Sequence, residues 1–398
     1  MRRALKFDVF CEIQKARPFA ADHERTLFAE TLAQAVLADE LGFGCWWEVE
    51  HHGSVEFSWS SAPEVFLTAI SQHTRRIHLG HAGVLAPFRI NHPLRVAERA
   101  ALLDVLSNGR LELGLARSGG NEWDTFHVDP ATSRAELVEA MRMIPQMWTQ
   151  DSFEWDSPLI NIPRRNVIPK PLQKPHPPLW QTCGSPESFH LAGTLGVGAL
   201  GTTLLTPLGQ MESLLKEYRR GLGECREPAG KRVNAQAAVF TFVHVCESKR
   251  DAIESGGSAA ACWYVNTAPK IFNAPAEIWY GQIRGGFLAN DPAATRSLES
   301  GGGGEVVAGA QREVPVVALL KRLAAGEPAS NEEIFETLDP LPSVIVGDVE
   351  SCRKKIEAYR EIGVDRLMCL VQYAGLPQER ILRSLRTIGD ALIPVYDR

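Results

Sequence analysis

Pro93-Leu94-Arg95-Val96-Ala97-Glu98-Arg99-Ala100-Ala101-Leu102-Leu103-Asp104-Val105-Leu106-Ser107-Asn108-Gly109-Arg110-Leu111-Glu112-Leu113-Gly114-Leu115-Ala116 holds one complete helix-then-strand repeat. Proline suits the first helical position, apolar residues recur at helical spacing, and Asn108-Gly109 supplies a stop. Leu111 to Ala116 is then a short apolar run of strand length. The same rhythm extends in both directions. Upstream, Phe7–Glu12, Phe43–Val49 and Ile77–Ala82 read as strands one to three, separated by helices over 24–41 and 61–74. Downstream come a helix over 133–148, a proline-rich connection from Asp156 to Pro178, and strands Leu179–Thr182, Val197–Leu200 and Ala237–Cys246. Helices are expected over 186–195 and around Met211–Gly221 between them. Arg366–Val371 gives an eighth strand and 377–391 the last helix.

Strands that alternate with helices must pair in parallel through crossovers. Eight such units over 250 residues or more predict a (β/α)8 TIM barrel of class α/β, with a doubly wound open sheet as the alternative. The chain is read as one domain over 1–398 with an insertion at 248–342 between strands seven and eight. That insertion contains Ser255-Gly256-Gly257-Ser258 and Gly301-Gly302-Gly303-Gly304. Long insertions of this kind act as lids or remain solvated loops, and an active-site lid is the preferred expectation.

Composition narrows the function. Net charge is −6 and no basic block stands out, so nucleic acid is not an expected partner. No stretch approaches the roughly 20 apolar residues of a membrane span, and the basic Met1–Lys6 start lacks the apolar core of a secretory signal. Cysteines at 11, 45, 183, 225, 246, 262, 352 and 369 form no Cys-x-x-Cys pair. A zinc site is therefore not expected, and the thiols read as reduced in a cytoplasmic protein. His-Glu-x-x-His, Gly-x-Ser-x-Gly and EF-hand patterns are absent. Histidines 73, 78, 81 and 92 are too irregularly spaced to argue for a metal.

Barrel chemistry sits at the C-terminal ends of the strands. After strand two comes Glu48-Val49-Glu50-His51-His52-Gly53, whose adjacent histidines cannot both point one way and are poor joint ligands. One histidine there can serve as acid or base, and a loop-capping histidine is the alternative. After strand four, Gly114-Leu115-Ala116-Arg117-Ser118-Gly119-Gly120 combines a close backbone approach with a guanidinium suited to phosphate; a tight turn with a surface arginine is the alternative. After strand five, Ser185 caps a helix opened by Pro186, and the N–H groups of Glu187 and Ser188 can bind phosphate; a merely well-capped helix is the alternative. Gly196-Val197-Gly198-Ala199-Leu200-Gly201 matches the dinucleotide fingerprint in letters only. It follows a helix and runs through a strand, the reverse of the required context.

Four segments together resemble the bacterial luciferase-like flavin monooxygenases. They are Glu50-His51-His52, the run from His81-Ala82-Gly83-Val84-Leu85 to Asn91-His92-Pro93-Leu94-Arg95, the Leu103–Gly114 stretch, and Gly184-Ser185-Pro186-Glu187-Ser188. Leu-Asp-x-Leu-Ser-x-Gly-Arg in the third is the most specific. The resemblance covers residues 6–247 and 343–393. It implies a two-component monooxygenase that takes reduced FMN from a separate flavin reductase and uses O2 to oxygenate a small substrate. By position, Arg117, Ser185 and Ser188 would hold the FMN phosphate, with Gly184 supplying backbone. Ala82 and Gly83 would form the backbone bulge beneath the flavin ring, where a non-proline cis bond often occurs, and His51 would be the catalytic histidine. Ala116 stands where luciferases often have cysteine, so no thiol role carries over. Trp46, Trp47 and Trp59 near strand two suggest an apolar substrate, although such aromatics more often belong to the core, which is the favoured reading for them. Relatives that use a deazaflavin for hydride transfer give a second reading, and a non-catalytic flavin-binding barrel a third. Family members are commonly homodimers.

Overall fold

The computed structural model describes residues 4–270, 273–289 and 314–396. Eight parallel strands close on themselves: β1 (Lys6–Cys11), β2 (Cys45–Glu48), β3 (His78–Leu85), β4 (Leu111–Ala116), then β7 (Leu179–Thr182), β8 (Gly198–Thr202), β9 (Ala237–Cys246) and β11 (Arg366–Leu370). β1 pairs with both β2 and β11, which closes the barrel and rules out the open sheet. Strands Leu111–Ala116, Leu179–Thr182 and Ala237–Cys246 lie where the sequence pattern puts them. These runs are legible because strands of a parallel barrel are buried on both faces.

Three elements were not expected. An antiparallel hairpin, β5 (Phe153–Asp156) with β6 (Asn161–Arg165), occupies the start of the proline-rich connection. A ninth parallel strand, β10 (Val344–Asp348), pairs with the C-terminal half of β9. The described part of 248–342 is helical, with helices Lys249–Ser255, Gly257–Thr267, Ala276–Ala289, Pro315–Ala324 and Asn331–Leu338. Gly256, at φ +76°, turns the chain from the first of these into the second. The expectation about Gly301–Gly304 lies outside the described residues. Tyr264, Val265, Val317, Leu320 and Phe335 of these helices join a buried cluster with Phe10, Trp47 and Phe242 of the barrel. Each such side chain contributes roughly 1.5–3 kcal/mol when fully buried. The described helices are therefore packed onto the barrel rather than left solvated.

Inside the barrel, Arg366 donates from Nε to Asp8 Oδ2 at 2.6 Å and from Nη2 to Oδ1 at 3.0 Å. Trp47 Nε1 donates to Asp8 at 2.8 Å and Trp180 Nε1 to Glu112 at 2.7 Å. The two indoles meet edge to face, 5.2 Å between centroids. Trp46 donates to Glu48 and faces the outer core, and Trp59 stacks edge-on with Phe19 and His23. None of the three predicted pocket tryptophans lines the cavity described next. Trp46 and Trp47 use their ring N–H groups and apolar faces in the core, and Trp59 packs edge-on with its ring N–H unpartnered among the described residues, so core packing, the favoured reading for them, holds.

Candidate active site

A cavity of about 330 Å³ opens at the C-terminal ends of the strands. Its lining is mostly apolar and includes Phe10, Val49, Phe57, Leu200 and Phe240. Phe10 and Phe240 stack nearly flat, 4.0 Å apart. Of the residues predicted for a site, His51, Ala82, Gly83, Arg117 and Gly184 all line this cavity. They come from the ends of four strands and meet because parallel pairing brings all strand C-termini to one rim.

At the end of β3 the register with β4 shifts between His81 and Val84, and the Ala82–Gly83 peptide is cis. A Cβ on Gly83 would stand 2.8 Å from the carbonyl carbon and oxygen of Gly114, and one on Gly114 would stand 2.4 Å from the His81 carbonyl oxygen. Two facing glycines thus let the strands approach closely at the bulge. Glu50 holds the far side of it: Leu85 N donates to Oε2 at 2.9 Å and Asn91 Nδ2 to Oε1 at 2.9 Å. His52 Nε2 sits 3.2 Å from the same carboxylate and does not line the cavity. Burial pushes the Glu50 carboxyl upward, but these bonds and the nearby His81 outweigh it and hold it below the usual range. The two adjacent histidines have separate carboxylate partners, as the alternating direction of an extended chain requires.

His51 Nδ1 lies 2.9 Å from Glu122 Oε1. Glu122, on the short helix Gly120–Phe126 after β4, also accepts from Ser118 Oγ at 2.7 Å and from His52 N at 3.2 Å. Burial works against charge on both groups. For His51 the Glu122 hydrogen bond and charge, with Glu12 and Glu50 behind them, win and raise the pKa. For Glu122 the bonds from His51, Ser118 and His52 win and lower it. A histidine oriented through Nδ1 by a carboxylate exchanges protons with a ligand through Nε2.

Arg117 donates to Ser133 Oγ at 2.8 Å and stacks over Trp123 at 5.0 Å. Partial burial and the neighbouring charge of Arg134 both disfavour its positive charge, so an anion here would relieve a like-charge pair. Arg134 also acts on Glu187 at the start of the helix Pro186–Thr194. Ser185 and Ser188 do not line the cavity. They form a reciprocal cap: Ser188 N donates to Ser185 Oγ at 3.3 Å, and Ser185 N to Ser188 Oγ at 2.9 Å. Gly184 N also donates to Ser188 Oγ, at 3.1 Å. The hydroxyls are used first by the helix end itself.

Sequence reading missed four groups. Glu122 and Arg134 carry no spacing signal, because both come from helices: Glu122 lines the cavity, and Arg134 acts on Arg117 through its charge. Thr202, ending β8, lines the cavity with its buried Oγ1 lacking any hydrogen-bond partner among the described residues. Glu12 also lines it, and a lone glutamate following an apolar strand at the catalytic rim is a readable signal. Among the described residues no cluster of side chains suits a metal ion, and no helix is long and apolar enough to cross a membrane.

A family described as luciferase-like monooxygenase matches residues 5–366. The oxygenase component of a flavin-dependent trigonelline monooxygenase from Acinetobacter baylyi is 27% identical over 251 residues, 62% of this chain and 67% of that protein. Other curated relatives are matched over about half to two thirds of their lengths. Among solved structures, the oxygenating constituent of 3,6-diketocamphane monooxygenase from Pseudomonas putida, in complex with FMN, superimposes with TM-score 0.68 at 16% identity, covering 98% of each chain. The coenzyme F420-dependent tetrahydromethanopterin reductase from Methanopyrus kandleri gives 0.65 at 16% identity, covering 99% of each. At these identities the structural likeness establishes the shared barrel fold.

Proposed function

This chain belongs to the luciferase-like monooxygenase family, and on that premise we propose that it is the oxygenase of a two-component system using reduced FMN and O2. The observation that carries the reading is one largely apolar cavity holding the oriented His51–Glu122 pair, the unpartnered Thr202 hydroxyl and Arg117 backed by Arg134. An isoalloxazine ring suits the flat apolar lining and the β3 bulge, its polar edge suits Thr202, and a phosphate suits the arginines. When bound, reduced FMN supplies the two electrons that let oxygen divide between product and water. The protein's own work is positioning and shielding. Arg117, with Gly184 and the helix N-terminus behind Ser185 and Ser188, binds the phosphate; Ala82 and Gly83 support the ring. His51 moves a proton through Nε2 while Glu122 fixes its orientation. Phe57, Tyr264 and Trp279 exclude water, and a small, mainly apolar substrate enters beside them from solvent.

The test is to mix the protein anaerobically with reduced FMN, admit oxygen and follow the return of oxidised-flavin absorbance. Oxidation much slower than that of free reduced FMN supports the oxygenase reading. Oxidation at the free rate sinks it and favours hydride transfer with a deazaflavin, a reading encouraged by the F420-dependent neighbour. Arg117→Ala is expected to weaken reduced-FMN affinity roughly 10- to 150-fold, the loss of a charged hydrogen bond. Fluorescence titration reads this directly, and an unchanged affinity removes the phosphate role.

The chain is also proposed to act as a homodimer. Leu102, Val105 and Leu106 form an exposed stripe on the helix Pro93–Leu106, 45–49% accessible, and Val65 is 67% accessible on the neighbouring helix Pro63–His73. Leu102→Glu with Leu106→Glu is expected to give a monomer by sedimentation, whereas an unaltered dimer would place the interface elsewhere.

A further inference from the structure

Glu12 follows β1 directly, one residue past Cys11, which is level with Glu48 on β2. It therefore stands at the rim beside the segment that carries His51, and its side chain lines the same cavity. Two neutral donors hold its carboxyl. Tyr264, from the helix Gly257–Thr267, donates its hydroxyl to Oε1 at 2.9 Å. Gln14 Nε2 donates to Oε2 at 2.7 Å, its own orientation fixed because Gln14 Oε1 accepts from Ala374 N at 2.9 Å. Tyr264 is wedged between Phe57 and Phe242, with ring centroids 4.8 and 5.2 Å away.

Burial pushes this carboxyl up to about 7, although the charge of His51 and the bonds from Tyr264 and Gln14 pull it down. The other titratable groups acting within this corner are Glu48, itself pushed up to about 8, and the buried Cys11 thiol, which the Glu12 charge raises further. A glutamine here would avoid the cost of a buried charge and could still accept from Gln14 through its carbonyl, but its NH2 would face the Tyr264 hydroxyl, which would then donate elsewhere. The acid is held here against the cost of its burial, at the lining of the cavity, and acids kept at a stability cost mark working sites.

Resting on the oxygenase reading above, we propose that Glu12 is a proton donor to the reaction in this cavity, positioned by Tyr264 and acting beside the His51–Glu122 pair. The balance requires such a donor. Reduced FMN as its monoanion, oxygen, substrate and one proton give oxidised FMN, oxygenated product and water. The cofactor brings one hydrogen of that water. The Glu12 O–H bond breaks to deliver the other, and solvent restores the proton after product leaves. Without substrate the same cofactor anion, oxygen and one proton give oxidised FMN and hydrogen peroxide, so the requirement can be tested before a substrate is known. A donor that titrates near the working pH is the efficient kind.

The experiment compares the intact protein with Glu12→Gln and Tyr264→Phe, using reduced FMN and oxygen as probes. Infrared difference spectra should show a carboxylic-acid band that titrates near pH 7 and is missing from Glu12→Gln. Reduced FMN should bind both variants within about twofold of the parent, whereas peroxide release from Glu12→Gln should fall at least about tenfold and lose its pH dependence near 7. Tyr264→Phe removes a bond that favours the carboxylate, so its pH midpoint should move upward while Glu12 is present. Raised folded-state affinity for a proton means that the Glu12 contribution to stability is full below its ordinary pKa and lost as pH rises through about 7. Glu12→Gln should therefore melt no lower than the parent at pH 8. A variant that binds flavin and releases peroxide with the parental rate and pH profile overturns the proposal, as does an unmoved midpoint in Tyr264→Phe. A parent that fails to bind reduced FMN would instead overturn the oxygenase reading, with the infrared titration still reporting on Glu12.

Discussion

His51→Ala is expected to lower oxygenation about 10²- to 10⁴-fold, the usual contribution of a positioned acid–base group, while reduced-FMN affinity stays within about twofold. Product formed per reduced FMN in single turnover, set beside a fluorescence titration, measures both. Full turnover without the imidazole would end its catalytic assignment. Glu122→Gln should act in the same direction but less severely, because the amide can still accept from Nδ1 without favouring the imidazolium. The pair also makes a pH prediction. His51 has its pKa raised from 6.5, so its stabilising contribution is complete below that value and fades as pH rises through the higher folded one. Glu122 is lowered from 4.5, so its contribution is complete above that value and fades as pH falls. The ion pair supports folding most between about 4.5 and 6.5, and Glu122→Gln should cost most stability in that window.

Arg366→Met is expected to destabilise the barrel by about 3–5 kcal/mol, the cost of leaving a buried charge without its partner. Arg366 and Asp8 are 5% and 0% exposed, and Glu112 stands 3.8 Å from the same guanidinium. Burial opposes the charge on Arg366, yet Asp8 and Glu112 raise its pKa. Burial likewise opposes Glu112, yet His78 and Arg366 hold it low. Truncating the arginine strands two acids in the barrel interior. Asp8→Asn combined with Arg366→Met should recover part of the loss, since removing both partners is milder than removing one. Urea unfolding of the single and double variants gives the coupling. Additive losses would mean that the pair contributes nothing beyond its separate members.

Much of the site was legible because barrel geometry converts sequence order into position. Once β2, β4 and β7 are identified, His51, Arg117 and Gly184 follow as rim residues, the family resemblance adds Ala82 and Gly83, and all five line the cavity. The tryptophans near strand two stay ambiguous in sequence, with core packing favoured, because an aromatic beside a strand end can face the rim or the core with the same local sequence. Gly80 and Gly198 decide this for Trp47 and Trp180. A Cβ on either glycine would lie within 2.2 Å of the indole ring beside it, so each ring occupies space that its neighbouring strand leaves vacant.

Periodicity and punctuation in the sequence determined the alternation of strands and helices, and with it the parallel barrel, because hydrophobic pattern and Gly/Pro stops are local properties of the chain. The residue types at the strand ends determined where acid–base and anion-binding chemistry could sit. The tertiary structure alone decided the partners: Glu122 for His51, Tyr264 for Glu12, and Arg134 near Arg117. The first two span 71 and 252 residues of chain. Such pairings are fixed by which elements close over the rim and how they pack. The charge state of a buried acid or histidine depends on those distant neighbours and on the water they exclude, and local sequence encodes neither.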